Sequence, residues 1–243
     1  MNNRLDIDLA QMGKKWVACF DLLGFSQLTS NSLVNAFYQI ELCLFDLKFW
    51  AERKPKLGFA WFSDTFLIYA SNDSAGSLVA IEAVARHFFQ IVLLRRIPMR
   101  GAIVCDEFYA DKANGIYVGK ALVDAVRFGG KCNWVGYVLH PSAVCQMEKV
   151  NLPVTGGTYS QRYKTWEVPI KKVLCRNKNQ KEEIVEDSET VTVKALLCGA
   201  VEGNSQDFVA ALEAMSDQTD NPNHKVKYAN SIQFMKHFGV SIK

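Results

Sequence analysis

The run from Trp16 to Asp21 is apolar up to its last residue and follows two lysines, a pattern that predicts a buried strand ending at a carboxylate. After a turn containing Gly24, residues Leu33, Phe37, Ile40, Leu44 and Leu47 recur at spacings of three and four. That spacing predicts an amphipathic helix, with Ser30 or Asn31 as its cap. Leu57 to Phe62 and Thr65 to Ala70 are apolar, aromatic-rich runs separated only by Ser63 and Asp64, which suits a two-residue hairpin loop. A second helix follows with Leu78, Ile81, Ala85, Phe88 and Val92 on one face, then a strand from Met99 to Cys105 behind Pro98. The resulting order, βαββαβ, is that of the ferredoxin-like arrangement: an α+β fold with an antiparallel sheet core and both helices on one face.

Further along, the pattern predicts a polar loop from Asp106 to Asn114, a short strand from Gly115 to Gly119 and a helix from Lys120. Strands are expected near 134–139 and 165–170, and the charged, aperiodic stretch from Arg176 to Thr190 reads as a solvated loop or hairpin. The tail carries a strand over 191–201 and helices over 205–215 and 225–238. This organisation implies an N-terminal segment (1–14), a main domain (15–175) and a C-terminal extension (176–243) that packs on it.

Composition narrows the function classes. A chain of 243 residues can bury a substantial core. Its apolar runs fall short of the roughly 20 residues that span a bilayer, and its polar N-terminus lacks a secretory signal, so a cytoplasmic protein without a membrane partner is expected. A net charge of +3 suits a polyphosphate ligand but lacks the concentrated basic face of a nucleic-acid binder. The seven cysteines show no CxxC spacing and the four histidines no HExxH, so the cysteines read as reduced core residues and no zinc site is expected.

Two carboxylates remain. Asp21 ends an apolar strand, where burial without a partner is expensive, and Asp64 stands at a hairpin tip. Taken singly, Asp21 is equally well a helix cap and Asp64 a turn residue. In a ferredoxin-like sheet, however, the first strand and this hairpin are neighbours, so the pair can converge on the same divalent ions, whose preferred ligands are carboxylate and phosphate oxygens.

The segments FDLLGF (20–25), FSDTFLIYA (62–70), MRGAIVCDEFY (99–109) and GKALVDAVRF (119–128) resemble, in order and interval, the catalytic domain of class III adenylate and guanylate cyclases. More closely, they are similar to the cytidylate and uridylate cyclases of the Pycsar antiphage defence system, and the late segment KVKYANSIQF resembles the tail of that group. The resemblance implies two divalent ions, Mn²⁺ or Mg²⁺, held by Asp21, Asp64 and the Leu22 carbonyl. It implies phosphate contacts from the Gly24 and Phe25 N–H groups with Ser63 beside them, a phosphate-binding Arg100, and Arg127 as the arginine that stabilises charge developing on the phosphate. The bland alternative for each arginine is a surface ion pair.

Where purine cyclases place base-reading residues, this chain has Ala60 and Ile116, neither of which can hydrogen-bond a purine edge. The resemblance therefore implies UTP or CTP as substrate and cyclic UMP or cyclic CMP plus pyrophosphate as products. It also implies a homodimer with shared sites and a separate effector protein reached through the diffusible product. The ribose-orienting asparagine of adenylate cyclases is replaced by Val123, which keeps open a catalytically degenerate nucleotide-binding or dimerisation module.

Overall fold

The computed structural model describes residues 12–54, 56–171, 175–176, 182–183 and 189–239. The chain runs β1 (Gly13–Leu22), α1 (Phe25–Asn31), α2 (Leu33–Ala51), β2 (Leu57–Phe62), β3 (Thr65–Ala70), α3 (Ala75–Leu94) and β4 (Met99–Asp111). These four strands lie in the order β2-β3-β1-β4, each antiparallel to its neighbour, as expected of a ferredoxin-like core. Next come β5 (Ile116–Val118), α4 (Lys120–Lys131), β6 (Tyr137–Leu139), α5 (Pro141–Lys149), α6 (Gly157–Arg162) and β7 (Tyr163–Pro169). A two-stranded pair, β8 (Cys175–Arg176) and β9 (Glu182–Glu183), precedes β10 (Thr190–Leu196), α7 (Ser205–Asp217) and α8 (Pro222–Gly239). The main sheet continues from β4 through β6, β10 and β7, so β10 lies inside it between two earlier strands. Among the described residues only the β4–β6 contact is parallel.

Alternation along β1 sends Trp16, Ala18 and Phe20 toward one core, shared with α2 and α3, and Val17 and Cys19 toward a second, smaller one under α4. Covered on both faces, the strand reads as a continuous apolar run. Phe20 packs against Phe88 at 5.4 Å and Tyr137 at 5.3 Å between ring centroids. Burial of such a ring contributes about 1.5–3 kcal/mol and pins the end of β1 where Asp21 follows. On the opposite face α4 comes very close to the sheet, because a Cβ added at Gly129 would lie 3.3 Å from the Gly101 backbone. The helix thereby roofs the end of β1.

Several local expectations are corrected. Ser32, not Ser30 or Asn31, caps α2: its side chain accepts from the Asn35 N–H at 3.2 Å, while Ser30 lies inside the extra helix α1. The buried face of α2 is Ala36, Ile40, Cys43, Leu47 and Ala51, and Leu33 and Phe37 are 72% and 64% exposed. Apolar residues run almost round this helix, so periodicity could not select the face that meets α3. The strand beginning at Met99 extends through Asp111 and buries Phe108 and Tyr109, in place of a loop from Asp106. The helices α5 and α6 fall in a stretch that the sequence pattern left unassigned. At 20 residues, α3 is long and apolar enough to cross a bilayer, but 67% of its apolar window is buried inside the fold.

Candidate active site

Asp21 stands directly opposite Arg100 of β4 on one side and Thr65 of β3 on the other. Directly opposed residues of antiparallel strands project to the same face, and here the Arg100 guanidinium donates to Asp21 Oδ2 from Nη2 at 2.9 Å and from Nε at 3.2 Å. Its Nη1 reaches the Cys132 carbonyl at 3.4 Å. With Arg100 only 8% exposed, this is no surface ion pair. Burial raises the Asp21 pKa; Arg100 opposes that rise and the neighbouring Asp64 adds to it. The pair looks into a cavity of about 120 Å³ under Ala125, Val126, Gly129 and Gly130 of α4.

The hairpin joins this site through its backbone. Ser63 adopts a left-handed φ of 55°, and the Asp64 carbonyl accepts from the Leu22 N–H at 3.0 Å, which draws the tip onto the end of β1. The Leu23 N–H donates to the Pro98 carbonyl at 2.8 Å, and Gly24, with φ 77°, turns the chain into α1 at Phe25. Asp21, Leu22, Gly24, Ser63, Asp64 and Arg100 therefore lie together. Arg127 does not join them: it is exposed on α4.

A second hollow of about 680 Å³, the size of a small-molecule site, lies across β2, β5 and α4. Ala60, Trp61, Thr65, Lys112 and Tyr117 line it. Ile116 is not among its lining residues, whereas its neighbours Gly115 and Tyr117 are, as alternation along β5 requires.

Among the described residues no group of three or more His, Cys, Asp or Glu side chains converges. The donors at the end of β1 are two carboxylates and main-chain carbonyls, hard oxygens that fit Mg²⁺ or Mn²⁺ when water and phosphate oxygens complete the shell.

No protein-family model and no curated protein matches the sequence. Solved structures do. An adenylate cyclase domain from Trypanosoma brucei in its monomeric state superposes with a TM-score of 0.52 at 12% identity, over 84% of this chain and 96% of that one. The catalytic core of a rhodopsin-guanylyl cyclase with converted specificity, in complex with ATPαS, gives 0.51 at 12% identity over 76% and 97%. A double mutant of the guanylyl cyclase domain of the RhoGC fusion protein from the aquatic fungus Blastocladiella emersonii, in a monomeric crystal structure, gives 0.51 at 11% identity over 76% and 94%.

The fold is that of class III nucleotidyl cyclase domains.

On this cyclase fold the structure adds residues that sequence reasoning passed over. Lys171, just beyond β7, donates its N–H to the Lys131 carbonyl at 2.8 Å, beside the Cys132 carbonyl that holds Arg100. Burial, with Arg100 adding to it and Asp21 opposing, lowers the pKa of Lys227 on α8. In sequence the KVKYANSIQF segment reads only as a tail, and nothing in its spacing places it near residue 21. Burial, with Arg100 and Lys227 adding to it and Asp21 and Cys132 opposing, lowers the Lys171 pKa to about 8.

Between about pH 8 and the ordinary lysine range near 10.5 the unfolded chain holds a proton that the folded chain has released, so stability rises with pH across that window. Below it, the folded protein carries the cost of a charged, half-buried ammonium. Lys171→Met is therefore expected to raise the melting temperature of the ligand-free protein at neutral pH, with the gain shrinking as pH climbs toward 10.5. Thermal melts of both proteins across that range check it; an equal gain at both ends would rule out the lysine's charge as the cause.

Proposed function

We propose that the protein is a nucleotidyl cyclase that closes UTP or CTP into the 3′,5′-cyclic monophosphate with release of pyrophosphate. The observation that carries this reading is the juxtaposition, on a cyclase fold, of Asp21 and Asp64 with a buried Arg100 at the end of β1. The reaction is attack of the ribose 3′-hydroxyl on the α-phosphate. Two divalent ions, when bound, would lower the hydroxyl's pKa and neutralise the triphosphate. Asp21 and Asp64 hold those ions with the Leu22 carbonyl, Gly24 and Phe25 present N–H groups to the phosphates, and Arg100 keeps Asp21 oriented while adding positive charge. No side-chain base is needed, since the hydroxyl proton can leave to solvent or to a phosphate oxygen.

Arg127, exposed on α4, completes the site of a partner copy, where it stabilises charge on the α-phosphate. Supporting this homodimer, Phe62 at 83% exposure, with Trp61, Val118, Val123 and Val126, forms an exposed apolar surface on the hairpin and α4 side. The base sits in the second hollow. Ala60 offers it shape without a hydrogen bond, which disfavours purines. The likeness to the Pycsar group supports a second-messenger role in antiphage defence, in the cytoplasm, with a separate effector reading the product.

Incubation with Mn²⁺ and each of the four ribonucleoside triphosphates, followed by mass spectrometry, is expected to yield cyclic UMP or cyclic CMP. Cyclic AMP or GMP would overturn the base assignment. Nucleotide binding without any product would favour the non-catalytic module that Val123 suggests.

A further inference from the structure

The C-terminal helix α8 does more than cover the sheet. Ser231 clamps Val135, accepting from its N–H at 2.9 Å and donating to its carbonyl at 2.8 Å, and Asn230 donates to the Asn133 carbonyl at 2.8 Å. Those anchors adjoin Cys132, whose carbonyl positions Arg100. At the other end of the same helix the His224 ring lies over the turn after β1, where a Cβ added to Gly24 would be 3.0 Å from its Cε1 atom. Lys227 follows three residues later, so it shares the helix face of His224.

Arg100, Lys171 and Lys227 are thus three cations on the side of one carboxylate, Asp21. Among the described residues Arg100 alone of the three has a carboxylate within ion-pair distance; Lys171 and Lys227 are half-buried without one. A half-buried ammonium without an anion is unfavourable, and an excess of fixed positive charge beside a glycine turn suits a polyphosphate.

Building on the cyclase reading, we propose that Lys227, with His224 beside it, binds the terminal phosphates of the substrate, so that α8 supplies in cis one wall of the triphosphate site. Lys227 is the charged contact. His224 borders Gly24 and fixes how near a phosphate can approach that turn. The role assigned is substrate binding, with no part in the chemical step.

Inorganic tripolyphosphate has neither base nor ribose and tests this without turnover. With Mn²⁺ present, calorimetry is expected to show it bound by the unmutated protein and weakened about tenfold or more by Lys227→Met, which keeps the aliphatic stem. Lys225→Ala, which removes an exposed charge from the same helix, should leave the affinity unchanged. If Lys227→Met does not fold, amine acylation of the unmutated protein read by mass spectrometry replaces it: tripolyphosphate should shield Lys227 and spare Lys225. Absence of tripolyphosphate binding, an affinity within about twofold in folded Lys227→Met, or unshielded Lys227 would each overturn the inference. Shielding in a protein that cyclises no nucleotide would instead overturn the cyclase reading alone, and cyclisation with unshielded Lys227 would overturn only the role of α8.

Discussion

Asp64→Ala is expected to lower cyclic-nucleotide formation by about a hundredfold or more while leaving the melting temperature nearly unchanged. Removing the Asp21 carboxylate would strand the buried Arg100 guanidinium and mix a folding defect with a chemical one. The Asp64 tie to β1 runs through its main-chain carbonyl, which alanine retains. Assayed with Mn²⁺ and the preferred triphosphate, an Asp64→Ala protein with more than a tenth of normal turnover would sink the two-carboxylate reading. The same variant tests site sharing: dissociated, mixed with Arg127→Ala and allowed to reassociate, it should recover about a quarter of full activity, because half the random dimers carry one intact site. No recovery would argue that each copy works alone.

The second large effect concerns stability. Glu82 of α3 is 3% exposed and accepts from Arg86 Nε at 3.1 Å, from the Tyr163 hydroxyl at 3.3 Å and from Arg162 at 3.4 Å; Arg86 also reaches Glu202 at 2.9 Å. One carboxylate thus joins the central helix to α6, β7 and the turn before α7. Glu82→Ala removes the anion from between two arginines and is expected to cost about 3–5 kcal/mol. Urea denaturation should show a lowered midpoint at unchanged slope. Glu82→Gln keeps an acceptor and should cost less. A loss below about 1 kcal/mol for the alanine variant would mean that Arg86 is satisfied by Glu202 alone.

Removing the carboxylate from beside Arg100 or Arg86 leaves a buried guanidinium with only the Cys132 carbonyl or with Gln90 and Glu202 as partners, so Asp21 and Glu82 are the positions where a side-chain truncation is felt in folding. Arg100 and Arg86 differ in purpose, however. The Glu82 network lies within the α3 packing layer and has structural work only, whereas Arg100 looks into the cavity beneath α4 and shares its carboxylate with the metal site proposed here.

Much of this was legible in the chain because it is local. Alternation and length identify β1, β2, β3 and α3, the two-residue gap at Ser63-Asp64 identifies the hairpin, and the pairing of an apolar strand end with a hairpin tip points to Asp21 and Asp64 as a set. The strands, the helix and the hairpin depend on backbone geometry within a few residues, so spacing marks them, whereas the meeting of Asp21 with Asp64 follows only once β1 and β3 pair in a ferredoxin-like sheet. Tertiary contacts settled the rest. The apolar residues of α2 nearly encircle it, and only docking on α3 selects Ile40 and Cys43 over Leu33 and Phe37. Arg100 was legible as a phosphate-binding candidate, but its grip on Asp21 depends on strand register. Lys171 carries no motif, and the KVKYANSIQF resemblance gives Lys227 no role. Both lysines come within reach of residue 21 because β7 ends against Lys131, about 40 residues back, and α8 is clamped to Val135, 96 residues from Ser231, contacts that no local propensity encodes.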